Sequence, residues 1–183
     1  MIQGSIKRAF TYMESGPVIL VTTNDGKKDN VMTISWHMVM DFRPHIAIST
    51  GPWNESFQTI LDTKECVINI PSVDRAEDVI RAGTINGSEA DKFELLHFQK
   101  QKGVCTKAPL ITDSIASLEC RLVDYVAEHG LLILEAVCLW ENPEKTETRT
   151  FHANGDGTFF ADGEFFNYRE SMRKWVPSGC ERL

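Results

Sequence analysis

The spacing of apolar residues changes several times along this chain. Ile2, Ile6, Ala9, Phe10 and Met13 recur at helical intervals and predict a short amphipathic helix, ended by Gly16-Pro17. PVILVTT (17–23) is a β-branched apolar run and predicts a largely buried strand. NDGKKDN (24–30) reads as a turn, with Asp25-Gly26 as its hairpin signal. The run NVMTISWHMVM (30–40) then alternates along one strand. Met32, Ile34, Trp36, Met38 and Met40 share one face, and Val31, Thr33, Ser35, His37 and Val39 share the other. Apart from His37 nothing ionisable interrupts it, so both faces are expected to be covered: by core on one side, and by a partner or ligand on the other.

HIAIST (45–50) predicts a third strand, GPWNES (51–56) a loop, SFQTILDTK a short helix and ECVINIP (65–71) another buried strand. SVDRAEDVIRA predicts a helix with Ser72 at its N-cap and Gly83 at its end, because Val73, Ala76, Val79 and Ile80 fall on one face. Ser88-x-x-Asp91 resembles a capping pattern ahead of one or two further helical turns. The second half reads as three strands: ASLECRLVDYVAEHG, LLILEAVCLWE and the region of TRTFHANGDGTFFADGEFF. No helical pattern long enough for a βαβ crossover separates them. The expected fold is mainly β with peripheral helices, an antiparallel Greek-key barrel carrying the helices of the first half.

The chain has 183 residues, 42% hydrophobic and 25% charged, which suits one globular domain over residues 1–183. A net charge of −7 argues against a nucleic-acid footprint or an anionic membrane surface, while leaving room for a local anion site. No apolar run is long enough for a membrane span, and the charged N-terminus does not read as a signal peptide, so a cytoplasmic location is expected. Five cysteines without C-x-x-C spacing read as small buried hydrophobes, except Cys180, whose polar surroundings suggest exposure. Nucleotide-binding loops, H-E-x-x-H and the G-x-S-x-G elbow are absent, and the five histidines are scattered, so no metal site is expected.

Several segments are nevertheless distinctive. The run 30–38, a following strand ending Ser49-Thr50, ECVINIP (65–71), the stretch from Gly83 to Asp91-Lys92-Phe93, APLI (108–111) and LEC (118–120) come in an order that resembles the flavoredoxin and flavin reductase-like family. The resemblance covers roughly residues 15–140. It implies an FMN-binding split barrel, a homodimer with one flavin per subunit near the interface, and redox chemistry. Two family features are altered. A Gly-Asp-His turn is here Ala127-Glu128-His129, and a following Gly-Glu pair is Leu134-Glu135. The loop after the third strand, GPWNES, also lacks the basic residue common in relatives.

A flavin needs an apolar wall, donors at its N1–O2 edge, and donors or a cation at its phosphate. In residues 30–36 the candidates are Asn30, Met32, Thr33, Ile34, Ser35 and Trp36. Thr33 and Ser35 offer hydroxyls. The resemblance places Trp36 close to the flavin ring, and the alternative is a core tryptophan. Asn30 either meets the flavin or closes the hairpin. Ser49, Thr50, Asn54 and Ser56 precede a helix N-terminus, a natural anion site, although Ser56 also reads as an N-cap. The resemblance puts Lys92 at the flavin, where a cation would stabilise the reduced anionic form; otherwise Lys92 is a solvated lysine paired with Asp91 or Glu94. His129 is either a donor to flavin or nicotinamide or a turn residue. Phe165 and Phe166 are either a lid on the ring or barrel core, with Phe166 the candidate. The implied function is an oxidoreductase passing reducing equivalents from NAD(P)H through non-covalent FMN. The alternatives are an FMN electron carrier docking a redox partner protein, and a barrel holding another ligand such as haem or pyridoxal phosphate.

Overall fold

The computed structural model describes residues 1–13 and 15–180. Its strands are β1 (Ile2–Gly4), β2 (Ile19–Asn24), β3 (Asp29–Ile34), β4 (His37–Val39), β5 (His45–Ser49), β6 (Glu65–Ile70), β7 (Lys100–Gln101), β8 (Leu110–Ile111), β9 (Ala116–Val126), β10 (Leu131–Glu141), β11 (Phe151–Ala153) and β12 (Phe159–Ala161). Four short helices accompany them: α1 (Glu55–Thr63), α2 (Ala76–Thr84), α3 (Lys92–Leu95) and α4 (Arg169–Met172). The main sheet runs β3-β2-β6-β9-β10-β5-β4, with β1 alongside β10, and all its pairs are antiparallel. The predicted mainly-β class with peripheral helices is the observed one.

The run 30–40 is not one strand. It breaks at Ser35-Trp36, and β4 leaves β3 to pair with β5. Since β3 and β4 are the two ends of the sheet order, a two-residue link joins opposite edges. Two residues span less than ~10 Å, so the sheet must curl until its edges meet. This is a split barrel: closed by covalent continuity rather than by a ladder between β3 and β4. His37 helps hold the seam, its Nε2 lying 2.6 Å from the Pro17 carbonyl. Burial pushes the His37 pKa down, which favours the neutral ring with its proton on Nε2.

The break also changes which faces are covered. Met32 and Ile34 enter the barrel core beside Ile46, Ile48, Ile68, Leu118 and Leu134. Val31, on the opposite face, packs with Val18 and Leu20 against Val79 and Ala82 of α2, Phe93 of α3 and Leu96 just after it. The outer cover of β3 at Val31 is thus the chain's own helical layer. Beyond the break the apolar residues emerge: Trp36, Met38 and Met40 are 70%, 60% and 49% exposed. Burial on both faces explains why β2 and β3 read as nearly continuous apolar runs.

Other local expectations shift for tertiary reasons. Ile2 does not start a helix. It pairs with Glu141, filling the edge of β10 beyond the part that β5 covers, and a 3-10 helix begins at Ile6. Arg8 and the Tyr12 hydroxyl both bond the buried Glu141, fixing that helix to β10. Ser72 makes no cap bond. Its hydroxyl donates to Asp74, and a 3-10 turn at Val73–Arg75 precedes α2. Gly83 does not end α2, which runs on to Thr84. A Cβ at Gly83 would lie 3.1 Å from the Thr33 Cβ, so glycine here permits close packing of α2 on β3. Cys180 is buried rather than exposed.

Glu119 on β9 organises the loop before β8. Although fully buried, it bonds no cation. Its Oε2 accepts from Cys105 N (2.7 Å), Thr106 N (2.7 Å) and Thr106 Oγ1 (3.0 Å), and its Oε1 from Val104 N (3.0 Å) and the Trp140 indole (2.8 Å). No helix among the described residues is long and apolar enough to cross a membrane.

Candidate functional site

Four segments meet in a cleft of about 200 Å³ on the side of the barrel where the helices lie. β3 supplies Asn30 and Met32, and the start of α1 supplies Asn54, Glu55 and Ser56. The stretch 82–87 at the end of α2 forms one wall, and α3 contributes Lys92. Side-chain bonds place these segments. Ser56 Oγ accepts from Thr23 Oγ1 (3.1 Å) and Asn30 Nδ2 (3.2 Å), tying α1 to the β2–β3 hairpin. Asn54 stands at the N-cap of α1 but makes no cap bond, and its amide donates instead to Thr50 Oγ1 at 3.0 Å. The first-turn N–H groups of α1 therefore have no side-chain cap, which leaves a helix N-terminus suited to an anion.

Lys92 is the least ordinary group in the cleft. It is only 6% exposed, and its Nζ donates to the Val31 and Ala82 carbonyls, each at 2.8 Å. Among the described residues no carboxylate pairs with it; Asp91 instead caps α3 through Phe93 N and Glu94 N. Burial pushes the Lys92 pKa down, opposed by the charge of Glu55. A desolvated ammonium held by two carbonyls gains from an incoming anion. At Gly87, a Cβ would lie 2.4 Å from Asn30 Oδ1 and 2.6 Å from Glu55 Oε2. Glycine there lets the wall's backbone pack directly against the Asn30 and Glu55 side chains, which fixes the wall beside the helix N-terminus. Donor set and cradle together fit a phosphate.

Asn30, Met32, Asn54, Ser56 and Lys92, all singled out from the sequence, thus line one cleft. Asn30 is buried and does not close the hairpin, and Lys92 is not a solvated lysine. Thr33 lies behind the cleft, its hydroxyl donating to the Val79 carbonyl at 2.6 Å. Ile34 is in the barrel core. Ser35 and Trp36 are exposed at the break, so Trp36 is not a core residue. Ser49 is half-buried, its N–H bonding the Trp36 carbonyl at 2.9 Å, and Thr50 is fully buried. Thr50 N bonds the Gly130 carbonyl at 3.0 Å, which brings the turn carrying the exposed His129 next to the strand end. Phe165 and Phe166 are 83% and 64% exposed, and neither is core. Phe165 lines a different cavity, of about 710 Å³, with Tyr12, Glu141 and Arg149; Phe166 lines neither.

Trp53 and Glu55 do not stand out in the sequence, and the 82–87 wall does so only as part of the stretch from Gly83 that carries the family resemblance. The two glycines of Gly83-Thr-Ile-Asn-Gly87 are the one local signal for that wall, since closely spaced glycines mark close approach. Lys28, in the hairpin turn, reads as a solvated charge, yet its Nζ bonds Glu55 Oε1 at 2.5 Å and the Gly87 carbonyl at 3.4 Å.

An antiparallel barrel split between β3 and β4, with a helical layer packed against it, defines the class. The solved structures it is similar to share that architecture. The FMN-binding domain of a flavin reductases-like enzyme from Shewanella baltica OS155 matches with a TM-score of 0.83 at 22% identity, over 91% of this chain and 96% of that one. Flavoredoxin of Desulfovibrio vulgaris (Miyazaki F) matches with a TM-score of 0.75 at 23% identity, over 83% and 89%. At these identities the likeness establishes the fold. An uncharacterized protein of Archaeoglobus fulgidus is 31% identical over 112 residues, which is 60% of this chain and 63% of that relative, under two thirds of its length. The family described as "Flavin reductase like domain" matches residues 12–165, and the chain belongs to that family.

Proposed function

We propose that this protein is an oxidoreductase that holds FMN non-covalently and passes reducing equivalents from NADH or NADPH through it. The observation that carries the reading is the buried, carboxylate-free Lys92 ammonium in a cleft that also receives the N-terminus of α1. Lys92, Asn54, Ser56 and the first-turn N–H groups would hold the phosphate, and Asn30 offers an amide to the chain beyond it. FMN, when bound, supplies a ring that accepts a hydride and returns electrons to an acceptor. The protein's share is to bind the phosphate, orient the ring and exclude water.

The cleft, at about 200 Å³, is smaller than the roughly 300–1,000 Å³ of sites that enclose a whole ligand. Part of the cofactor must therefore lie outside it. The exposed Trp36, Met38, Met40 and Trp53 offer an apolar wall, and β4 beside them is an unpaired sheet edge. A solvated protein rarely leaves such a patch bare. The reading therefore includes a homodimer whose second copy covers this face and completes the site, with His129 and the C-terminal aromatics at its rim. Cytoplasmic location follows from the need for a nicotinamide donor.

The test is an equilibrium titration of flavin fluorescence with the purified protein, followed by anaerobic addition of NADH or NADPH. Saturable quenching and bleaching of the flavin band are the expected results. Quenching without bleaching by either nucleotide replaces the reductase with an electron carrier served by a redox partner protein. No quenching refutes the flavin reading.

A further inference from the structure

Glu55 is out of place in a phosphate-binding cleft. It is the first residue of α1, where the helix dipole already attracts negative charge, and it is the only carboxylate among the described residues lining the cleft. Its Oε1 pairs with Lys28 at 2.5 Å, and its Oε2 lies where a Cβ on Gly87 would approach to 2.6 Å. The same carboxylate is the one charge that favours the protonated Lys92. Glu55 thus binds Lys28 at the edge of the cleft, and its charge acts on Lys92 within the cleft and on the helix N-terminus. Those are the groups a ligand phosphate would use. The Lys28 and Glu55 side chains are 49% and 32% exposed, so the pair is exchangeable rather than locked in the core.

We propose that Glu55 is a built-in competitor of the flavin phosphate: its carboxylate holds Lys28 beside the cleft and places negative charge in the space Lys92 faces, weakens FMN relative to a flavin without phosphate, and makes FMN an exchangeable ligand. This inference rests on the flavin reading above and deepens it. The physical reason is charge. A phosphate monoester carries about −1.5 to −2 at neutral pH. Bringing it to this helix terminus requires Lys28 to trade one anion for another while Glu55 remains close by. The ion pair that stabilises the empty cleft is the one that FMN binding must give up. Riboflavin lacks the phosphate and does not meet this repulsion, so the protein discriminates between the two flavins less than Lys92 alone would dictate. A weakly retained flavin suits a reductase that releases its reduced product, rather than a carrier that keeps it.

The experiment is a fluorescence titration of FMN and, separately, of riboflavin against the native protein, Glu55→Gln and Glu55→Asp. Glutamine keeps the size and the hydrogen-bonding reach but removes the charge; aspartate keeps the charge. Glu55→Gln is expected to tighten FMN about tenfold and leave riboflavin within about twofold, with Glu55→Asp close to native for both. Unchanged or weaker FMN binding by Glu55→Gln overturns the proposal, because Glu55 would then serve only to position Lys28 or α1. Equal tightening of FMN and riboflavin overturns it too, since the effect would not act through the phosphate. A native protein and variants that bind neither flavin would bring down the flavin reading itself, and this inference with it.

Discussion

Replacing Glu119 by glutamine tests the reading of β9 and its loop most severely. The native carboxylate accepts five hydrogen bonds with no cation in contact, three on Oε2 and two on Oε1. A glutamine has one acceptor oxygen. Placed toward Cys105 and Thr106, it points its NH2 at the Val104 N–H and the Trp140 indole N–H. Two donors then face a donor. Each stranded donor costs about 1–3 kcal/mol, offset in part because no charge need be buried, so the loss is about 3 kcal/mol. The opposite flip confronts the donors of Cys105 and Thr106 and is worse. A small domain has roughly 5–15 kcal/mol in total, so this is a large fraction. Urea unfolding followed by tryptophan fluorescence reads it as a lower midpoint at unchanged slope. A loss below about 1 kcal/mol would refute the assignment of Glu119 as the loop's anchor. The pH dependence has a defined sign. Burial alone would raise the Glu119 pKa, but the bonds from Val104, Trp140, Cys105 and Thr106 outweigh it and hold the carboxyl below its ordinary value. The unfolded chain takes up the proton first. The stabilisation is therefore complete above an unfolded value of about 4.3 and is lost as pH falls through the lower folded value. Glu119→Gln removes that part of the acid sensitivity.

Three further outcomes follow from the same structure. Lys92→Met is expected to weaken FMN about thirtyfold in a fluorescence titration while affecting riboflavin less, since a charge-assisted bond is worth about 2 kcal/mol; unchanged FMN affinity would remove Lys92 from the phosphate site. Gly83→Val forces branched carbons against Thr33, where a single Cβ would already lie at 3.1 Å, and is expected to cost about 1–3 kcal/mol in thermal unfolding. An unchanged midpoint there would mean that α2 does not depend on this contact. For the proposed homodimer, Met38→Lys places a charge on the exposed edge strand β4, and light scattering should show a native dimer and a monomeric variant; a native monomer would refute the dimer, and a variant that stays dimeric would place the interface elsewhere.

How much of this was legible in the sequence depends on whether a residue's role is local. The β2–β3 hairpin was readable because Asp25-Gly26 fixes a turn through bonds only a few residues apart. α1 and β10 were readable from periodicity, since burial on one face imposes it. Asn54 and Ser56 were found because small polar groups before a helix are a compact pattern, and Asn30, Met32, Lys92 and the stretch from Gly83 through the family resemblance. Glu55 and Lys28 were not, because a charged residue in a turn or a helix's first position looks solvated until another segment arrives beside it.

The break at Ser35-Trp36 shows the same division. Alternation predicted a strand through residue 40, and every residue has the propensity for it. Whether the chain continues along β2 or crosses to β5 depends on the curl of a sheet whose β9 and β10 lie some eighty residues further on. The sequence by itself determined β2, β5, β6, β9, β10 and the helical layer, since those follow from burial and local hydrogen bonding. Only the tertiary structure decided that Lys92 would lose its water without gaining a carboxylate, that Glu55 would face the same space, and that Trp36 and Met38 would end on the surface. Each of those results from bringing together segments far apart in the chain, and no local pattern encodes that distance.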